Sequence, residues 1–283
     1  MIGVRDAASD RIVIDGLAFD NVTMGEAIDL VENYIDRGKE MLVVTTNVDN
    51  LLTLSRDEEF RRAYAAADLV LADGVPLLWL ARLQGTPLKD RVSGADFVVE
   101  FCRMAAQRGR RVFFLGGLEG VAQRAAEVLQ KRFPGLTVVG SHSPSWNFDR
   151  KEDENRQIVE MIKQQRPDIL FIAAGAPKQE NWLSRYRAEF GPVVSMGVGA
   201  AFDFVSGYKR RAPQVLRSCG LEWLWRLVHE PRRLFRRYIL EDFPFFLNLL
   251  FKILARRLKG IDAHVAPTET SPRHKPDSRQ GLP

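Results

Sequence analysis

Short apolar runs alternate with longer amphipathic stretches over the first two thirds of the chain. The runs Met41–Thr45, Leu69–Ala72 and Ile169–Ala174 carry no charged residue, which is typical of strands that are buried on both faces of a sheet. The stretches between such runs place apolar residues three and four positions apart, as in Glu152–Gln165, and this spacing predicts helices. The alternation predicts an α/β fold, with a Rossmann-like, mostly parallel sheet and helices on both faces.

Turn and capping residues define the bounds of further elements. Asp15-Gly16 predicts a short hairpin between Arg11–Ile14 and Leu17–Phe19, and Thr23 is a suitable cap for a helix that ends near Gly38. Further strands are predicted over Arg111–Leu115, Thr137–Val139 and Val193–Met196. Further helices are predicted over Asp49–Ser55, Asp57–Ala66, Val75–Leu83, Ala95–Gln107, Glu119–Arg132 and Gln179–Tyr186.

Charge is distributed unevenly along the 283 residues, although the overall composition is that of an ordinary globular protein. Residues 1–207 contain 25 Lys and Arg against 29 Asp and Glu, whereas residues 208–259 contain 13 against 4. The residues after 259 are rich in Pro, Ser, Thr and charge, which predicts disorder. We therefore expect an α/β core over 1–207, a basic helical membrane-binding appendage over 208–259 and a disordered tail over 260–283.

Two interpretations of the basic segment 208–259 stay open. Its arginines recur at a spacing that predicts one helical face, with an apolar face formed by Leu234, Phe235, Tyr238 and Ile239. Such a helix could lie on the anionic lipids of the inner leaflet. Alternatively, its aromatic residues pack on the core and its arginines are merely solvated. Binding to nucleic acid is not expected, because no helix-turn-helix, zinc-finger or RNP pattern accompanies the charge.

Other features favour a peripheral location at the cytoplasmic face of the plasma membrane. The aromatic-rich run Phe243–Leu254 is shorter than the roughly 20 apolar residues that a spanning helix needs. Cys102 and Cys219 match no metal-binding or redox spacing. The first residues lack the apolar stretch of a secretory signal.

Small and polar residues follow five of the predicted strands. Because the carboxyl ends of parallel strands meet at one edge, where such folds bind ligands, these positions predict a site for a nucleotide or nucleotide-sugar. Singly each position is weak evidence, since Asn47 and Asp73 could equally be helix-capping or turn residues. The residues predicted to contact substrate are Thr45, Asn47, Gly116, Gly117, Pro177, Lys178, Glu180, Gly197, Gly199 and Asp203. For Lys178 and Glu180 the alternative is that they are only charges at a helix end.

Several motifs, in order over roughly residues 12–240, resemble the WecG/TagA/CpsF glycosyltransferases. The matching stretches are Thr45–Asn47 (T-T-N), Ala67–Gly74 (A-D-L-V-L-A-D-G), Asp90–Asp96 (D-R-V-S-G-A-D), Phe114–Gly117 (F-L-G-G), Gly175–Trp182 (G-A-P-K-Q-E-N-W), Val198–Gly207 (V-G-A-A-F-D-F-V-S-G) and Arg211–Leu227 (R-A-P-Q-V-L-R-S-C-G-L-E-W-L-W-R-L). The resemblance implies a bacterial enzyme of surface-polysaccharide or teichoic-acid synthesis. Such an enzyme moves a sugar from a UDP-sugar to a polyprenyl-diphosphate-linked saccharide, with inversion at the anomeric carbon.

Three residues are candidates for the catalytic roles. Inverting transfer needs a carboxylate that accepts the proton of the attacking hydroxyl, and Asp73 is the best candidate, with a structural cap as its alternative role. Arg91 is the candidate partner of the donor diphosphate, with a surface ion pair as its alternative. Gln179 is expected to hydrogen-bond sugar hydroxyls. The chain has no D-x-D, so we expect no metal and no other cofactor.

The resemblance also implies that the basic segment targets the membrane and lends arginines to the active site. The candidates are Arg211, Arg217, Arg226, Arg232, Arg233, Arg236 and Arg237. The expected partners are a UDP-sugar, a polyprenyl-diphosphate-linked acceptor and anionic lipids, and self-association is left open. The donor sugar also stays open between N-acetylmannosamine, its uronate, glucose and similar sugars.

Two other classes of function are considered. A dehydrogenase would need G-x-G-x-x-G after its first strand, whereas here T-T-N-V-D-N follows that strand. A non-catalytic membrane-surface module would not need the ordered polar groups at the sheet edge.

Overall fold

The computed structural model describes residues 10–259, so the tail predicted over 260–283 lies outside the described residues. Its strands are β1 (Arg11–Ile14), β2 (Leu17–Asp20), β3 (Met41–Thr46), β4 (Leu69–Ala72), β5 (Arg111–Gly116), β6 (Thr137–His142), β7 (Ile169–Ala173) and β8 (Val194–Gly197). Its helices are α1 (Met24–Asp36), α2 (Val48–Leu54), α3 (Glu58–Ala65), α4 (Val75–Gln84), α5 (Gly94–Arg108), α6 (Val121–Arg132), α7 (Glu152–Gln165), α8 (Lys178–Tyr186), α9 (Ala201–Val205), α10 (Gln214–Ser218), α11 (Glu222–His229), α12 (Pro231–Phe235) and α13 (Phe243–Leu258). Short 3-10 turns cover Phe148–Arg150 and Arg187–Glu189, and a π-helical segment, Arg236–Asp242, joins α12 to α13.

A parallel sheet with the strand order β4-β3-β8-β7-β5-β6 forms the centre of the molecule. Every residue of β3 and β7 is buried, as expected for strands that are covered on both faces. β1 and β2 pair separately as an antiparallel hairpin. Asp15 and Gly16 form its turn with φ angles of 48° and 85°, a conformation that favours Asp and Gly.

Successive residues of each strand enter two different cores. On β3, Met41 and Val43 belong to one core, whereas Leu42 and Val44 belong to the other. The first core is covered by α1, α5, α6 and α9, and the second by helices that include α3, α4, α7 and α8. The predicted α/β fold, with a mostly parallel sheet and helices on both faces, is confirmed.

The edge strand β6 is longer than predicted. It continues past Val139 to His142, through residues that lack apolar side chains. Gly140 makes this continuation possible, because a Cβ atom there would lie 2.3 Å from Cε2 of Phe113 on the neighbouring strand. The apolar run therefore predicted too short a strand, because the last part of β6 depends on the close approach of its backbone to Phe113 and not on apolar side chains.

The C-terminal segment 208–259 packs partly on the α/β core. Leu234, Leu249 and Ile253 are buried, and the last two join the second core. α13 lies against α4, and the π-helical segment lies against α2. Other large apolar side chains of the segment are exposed, namely Val215, Trp223, Leu224, Val228, Phe235, Leu240, Phe243, Phe251, Leu254 and Leu258. Within residues 10–259, no helix is long and apolar enough to cross a bilayer.

The predicted face of four arginines is divided in the structure. Arg232, Arg233 and Arg236 are exposed, and Phe235, which was predicted on the opposite face, is exposed with them. Arg237 instead forms an ion pair of 2.6 Å with Asp49 of α2. Arg237 belongs to the π-helical segment, which packs against α2, so its guanidinium group meets Asp49 instead of solvent.

Candidate active site

Asp73 lies at the carboxyl edge of the sheet, directly after β4. Its backbone N–H donates to the carbonyl of Thr46 at the end of β3 (2.7 Å), which continues the pairing of the two strands. Its carboxylate Oδ2 accepts a hydrogen bond of 3.3 Å from the backbone N–H of Gly94, the first residue of α5. The side chain is therefore oriented by the start of a helix, where partial positive charge favours a carboxylate.

The surroundings of Asp73 raise its pKa to about 6. Burial is the main cause, and the charge of Glu222 raises the pKa further. The charges of Arg91 and Arg211 and the hydrogen bond from Gly94 act in the opposite direction. The residue as a whole is only partly buried, so a carboxyl group of increased basicity lies at the open edge of the sheet.

Three arginines and two acids form a cluster beside Asp73, called here the arginine cluster. Arg211 donates to both carboxylate oxygens of Asp96, at 2.6 and 2.8 Å. Arg91 reaches Asp96 at 3.2 Å and Glu222 at 3.5 Å, and Arg217 reaches Asp96 at 3.3 Å. Glu222 also contacts Arg211 at 3.4 Å. The loop before α5 and the C-terminal segment therefore meet at one charged centre.

The arginine cluster carries more positive than negative charge, with three guanidinium groups against two carboxylates. Burial alone would raise the pKa of Asp96, but hydrogen bonds from Arg211 and Ser93 outweigh burial and lower it. Asp96 is thus ionised and holds the guanidinium groups in place. Guanidinium groups bind phosphate oxygens in the same bidentate geometry, so the cluster is suited to an anionic ligand beside Asp73.

Asp96 and Glu222 were absent from the predicted site residues. Both are acidic residues in the first turn of a helix, a position that is usually explained by the helix dipole. The two residues are 126 positions apart in the sequence, and only the fold brings both of them to Arg91. The available signal was that both lie inside stretches that carry the family resemblance, D-R-V-S-G-A-D and the stretch Arg211–Leu227.

Gln179 joins the loops after β7 and β8. Its Oε1 accepts hydrogen bonds from the backbone N–H groups of Gly175 and Gly199, both at 3.1 Å, and its Nε2 donates to Oε1 of Glu180 at 2.7 Å. A Cβ atom at Gly197 would lie 2.6 Å from Nε2 of Gln179, which explains the glycine there. Gln179 is only 3% exposed, and its carbonyl orders the two loops through these two hydrogen bonds.

Glu180 is fully buried next to this junction. Its Oε2 has no hydrogen-bond partner among the described residues. Burial raises the pKa of Glu180 to about 7, while the hydrogen bond from Gln179 acts in the opposite direction. Burial also raises the pKa of Tyr64, and the charges of Glu180 and Asp73 raise it further. Tyr64, Glu180 and Asp73 therefore lie close enough to one another for their charges to interact.

Asn47 caps α2. Its Oδ1 accepts from the backbone N–H of Asn50 at 3.1 Å, and Oδ1 of Asn50 accepts from the backbone N–H of Asn47 at 3.0 Å. The capping role left open by the sequence is therefore present, and Nδ2 of Asn47 has no hydrogen-bond partner in residues 10–259. Thr45 lies next to the start of α5, with its Oγ1 3.5 Å from the Cβ position of Gly94.

The remaining predicted contact residues have clear structural surroundings. Gly116 passes so close to Ala173 that a Cβ atom would lie 2.5 Å from its carbonyl oxygen, and Gly117 donates to that oxygen at 2.8 Å. Pro177 follows a cis peptide bond and precedes α8. Lys178 lies 4.8 Å from the ring centre of Trp146 and also contacts its backbone carbonyl. Asp203 pairs with Lys209 at 3.2 Å.

No hydrogen bond or ion pair between described residues joins the other predicted arginines to the arginine cluster. Arg226 lies over the ring of Phe204, 5.9 Å from its centre. Arg233 pairs with Glu230, Arg236 pairs with Glu241, Arg237 pairs with Asp49, and Arg232 is exposed. Arg211 and Arg217 are therefore the two arginines of segment 208–259 that reach the centre beside Asp73. Residues 10–259 contain no group of three or more His, Cys, Asp or Glu side chains placed to hold a metal ion.

Comparisons with known proteins place the chain in a family. A protein of Bacillus spizizenii strain W23 named N-acetylglucosaminyldiphosphoundecaprenol N-acetyl-beta-D-mannosaminyltransferase is 31% identical over 204 residues, which cover 72% of this chain and 77% of the relative. A protein of the same name from Staphylococcus aureus strain MW2 is 28% identical over 244 residues, or 86% of this chain and 92% of the relative. The model of the glycosyl transferase WecG/TagA/CpsF family matches residues 12–259. The chain therefore belongs to the WecG/TagA/CpsF family and is a glycosyltransferase.

Proposed function

We propose that this protein is an inverting transferase that moves a sugar from a UDP-sugar to a prenyl-diphosphate-linked saccharide. The observation that carries the proposal is the position of Asp73, a partly exposed residue with a raised pKa, beside the arginine cluster. An acceptor hydroxyl needs a base and a leaving nucleoside diphosphate needs positive charge. Both are supplied within one site by residues of this chain.

In the proposed mechanism, the carboxylate of Asp73 accepts the proton of the acceptor hydroxyl as its oxygen attacks the anomeric carbon of the donor. The new glycosidic bond forms while the bond from that carbon to the UDP oxygen breaks. Negative charge then grows on the leaving diphosphate, where guanidinium groups of the arginine cluster stabilise it. Attack opposite to the leaving group inverts the anomeric centre.

The relatives suggest the first substrates to test. Their names describe transfer of an N-acetyl-β-mannosaminyl group to N-acetylglucosaminyl-diphosphoundecaprenol. We therefore propose N-acetylmannosamine as the first donor sugar, followed by its uronate and glucose. The experiment is a panel of UDP-sugars with a short-chain lipid-diphosphate acceptor that carries N-acetylglucosamine, read out as UDP release and product mass. UDP release without a glycosylated lipid, or with no dependence on the acceptor, would contradict the proposal.

We further propose that the protein binds the membrane surface through segment 208–259. The exposed apolar side chains, including Phe235, Leu240 and Phe243, lie in the same segment as the exposed Arg232, Arg233 and Arg236. A basic residue near an anionic surface contributes about 1 kcal/mol. Arg232, Arg233 and Arg236 changed together to Glu should release the protein from anionic vesicles at low salt. The matched control changes Arg103, Arg124 and Arg156, which are exposed on α5, α6 and α7. Equal release by both variants would contradict this surface.

A further inference from the structure

Phe204 lies on α9, the short helix that follows β8 at the carboxyl edge of the sheet. Phe202, two positions earlier, is fully buried and packs edge-on against Phe114 of β5, with 5.0 Å between the ring centres. Phe204 is only partly buried and belongs to neither core. Its backbone N–H donates to the carbonyl of Ala200, and its own carbonyl accepts from Gly207, both at 3.3 Å. The ring of Phe204 is therefore held in place without being part of the core.

Two arginines of segment 208–259 lie over the ring of Phe204. The guanidinium carbon atoms of Arg211 and Arg226 are each 5.9 Å from the ring centre. The face of an aromatic ring attracts a cation within about 6 Å of its centre. The two guanidinium groups repel each other, because like charges do. A ring that holds both of them is therefore expected where an anion offsets that repulsion.

Arg211 and Arg226 differ in their anionic partners. Arg211 pairs with Asp96 and Glu222. The side chain of Arg226 has no hydrogen bond or ion pair with any residue of 10–259, and its Nε is buried without a partner. Nε of Arg217, in the arginine cluster, is likewise buried without a partner. Since buried N–H groups are nearly always hydrogen-bonded, both are suited to an acceptor that a ligand supplies.

The balance of charge around Phe204 indicates the kind of ligand. With Arg226, the arginine cluster and its neighbour contain four guanidinium groups against the carboxylates of Asp96 and Glu222. This excess of two positive charges suits an anion with more than one negative charge. Guanidinium groups match phosphate oxygens in bidentate geometry. A diphosphate group meets both conditions, whereas a single carboxylate does not.

We propose that Phe204 is a positioning residue of the transfer site, whose ring holds the guanidinium group of Arg226 so that it adds to the diphosphate-binding charge of the arginine cluster. The inference rests on the proposed function, because the diphosphate is that of the UDP-sugar or of the lipid-linked acceptor in that same reaction. Phe204 itself does not touch the substrate. Its electron-rich face, and not its bulk, is the property that matters.

The test measures affinity for UDP, uridine and farnesyl diphosphate by isothermal titration calorimetry, and it needs no turnover. Phe204→Leu keeps an apolar side chain but removes the aromatic face, so it should weaken binding of a diphosphate ligand roughly three- to tenfold. Phe204→Tyr keeps the face and should bind as the unchanged protein does. Uridine has no diphosphate, so its binding should be unaffected by either change. A loss for UDP assigns the contact to the donor, and a loss for farnesyl diphosphate assigns it to the acceptor.

A double variant tests whether Phe204 acts through Arg226. Arg226→Met should weaken binding of the same ligand. Adding Phe204→Leu to it should cause less than the separate effect of Phe204→Leu, because both changes disturb one contact. The matched control is Phe133→Leu, since the guanidinium carbon of Arg132 lies 5.2 Å from the ring centre of Phe133 at the end of α6. This control should bind all three probes as the unchanged protein does.

Several outcomes would overturn the proposal. They are unchanged binding of both diphosphates by Phe204→Leu, an equal loss in Phe204→Tyr, a loss of uridine binding, and fully additive effects in the double variant. Melting temperatures of all variants identify any loss that comes from unfolding, and Phe204→Tyr then carries the test. The expected binding pattern without sugar transfer would contradict the proposed function alone. Sugar transfer by the unchanged protein, with diphosphate binding that Phe204→Leu leaves unaffected, would contradict the role of Phe204 alone.

Discussion

Asp73 and Glu180 are two acidic residues of the same sheet edge in contrasting surroundings. Burial raises the pKa of both, to about 6 for Asp73 and about 7 for Glu180. Asp73 keeps contact with solvent and lies beside the arginine cluster. Glu180 has no exposed surface, and its hydrogen-bonded partner is the neutral amide of Gln179.

The comparison separates two functions that a raised pKa can indicate. A carboxylate that accepts a proton from a substrate must be reachable and must be ionised at the working pH. Asp73 meets both conditions near neutral pH. Glu180 lies beneath the junction of two loops and contacts the side chain that orders them, so its influence on substrate passes through Gln179. We therefore treat Asp73 as the candidate base and Glu180 as a positioning residue.

The largest expected effect comes from Asp73→Asn. The amide keeps the shape of the side chain but cannot accept the proton, and general-base catalysis contributes about 10²–10⁴-fold. We expect kcat to fall within that range while UDP binding is retained. The melting temperature at pH 8 should be unchanged or higher, because a folded-state pKa above the ordinary value means that ionised Asp73 costs stability as pH rises. If the variant transfers sugar at the original rate, Asp73 is not the base and its role is that of a structural cap.

The second effect concerns Arg211, which has two hydrogen bonds to Asp96. In the proposed mechanism Arg211 also stabilises the leaving diphosphate, and one hydrogen bond to a charged group contributes about 1.5–3 kcal/mol, so Arg211→Met should lower kcat/KM by roughly 10- to 100-fold. Arg211→Lys retains the charge but loses the bidentate geometry and should recover part of the rate. The control is Arg103→Met, which breaks the exposed pair with Glu100 on α5. Equal losses in Arg211→Met and the control would argue against a role in transfer.

The third effect is the pH dependence of kcat/KM. Asp73 must be ionised to act as a base, so activity should rise with pH through about 6 and level off above it. Below that midpoint the rate should fall about tenfold for each pH unit. If the residual activity of Asp73→Asn kept the same midpoint, another group would be responsible for it. A midpoint near 7 that disappears in Glu180→Gln would assign the titration to Glu180 instead.

Most of the fold could be predicted from the sequence, because apolar runs such as Ile169–Ala174 report burial on both faces of a sheet. The positions of Asp73 and Arg91 at one edge followed from the same pattern. What could not be predicted depends on contacts between distant segments. Asp96 and Glu222 resemble ordinary residues of a first helical turn until the fold brings them to the same arginines.

The contacts of individual predicted residues could also not be predicted from the sequence. Gln179 was expected to face a sugar, yet its carbonyl accepts two backbone hydrogen bonds inside the protein. Arg237 was expected on the same face as Arg232, but the π-helical segment that contains it packs against α2, where Arg237 pairs with Asp49. Helical spacing predicts which residues share a face, but not which part of that face another element covers.

The fourth effect concerns Glu180, the buried acid of the comparison. Glu180→Gln keeps an acceptor for Nε2 of Gln179 and removes the buried charge. We expect kcat to change only a few-fold, because the residue has no exposed surface from which to contact substrate. Stability should respond instead. With a folded-state pKa of about 7, above the ordinary 4.5, the wild-type side chain loses stability as pH rises between these values. The melting temperature of the variant relative to wild type should therefore increase from pH 5 to pH 8. A difference that is constant with pH would show that Glu180 does not titrate in this range.

The smallest expected effect is that of metal removal. The guanidinium groups of Arg91 and Arg211 lie beside Asp73. The proposed mechanism uses them, and no metal ion, to stabilise the leaving diphosphate. Sugar transfer should therefore be unchanged when EDTA is added to the purified protein. The informative comparison repeats the measurement with Arg211→Met, in which the cluster has lost one positive charge. If magnesium or manganese partly restores that variant but does not affect the unchanged protein, the arginine occupies the electrostatic role of a metal. If EDTA inactivates the unchanged protein and either metal restores it, transfer depends on a divalent cation and the assignment of the arginine cluster is wrong.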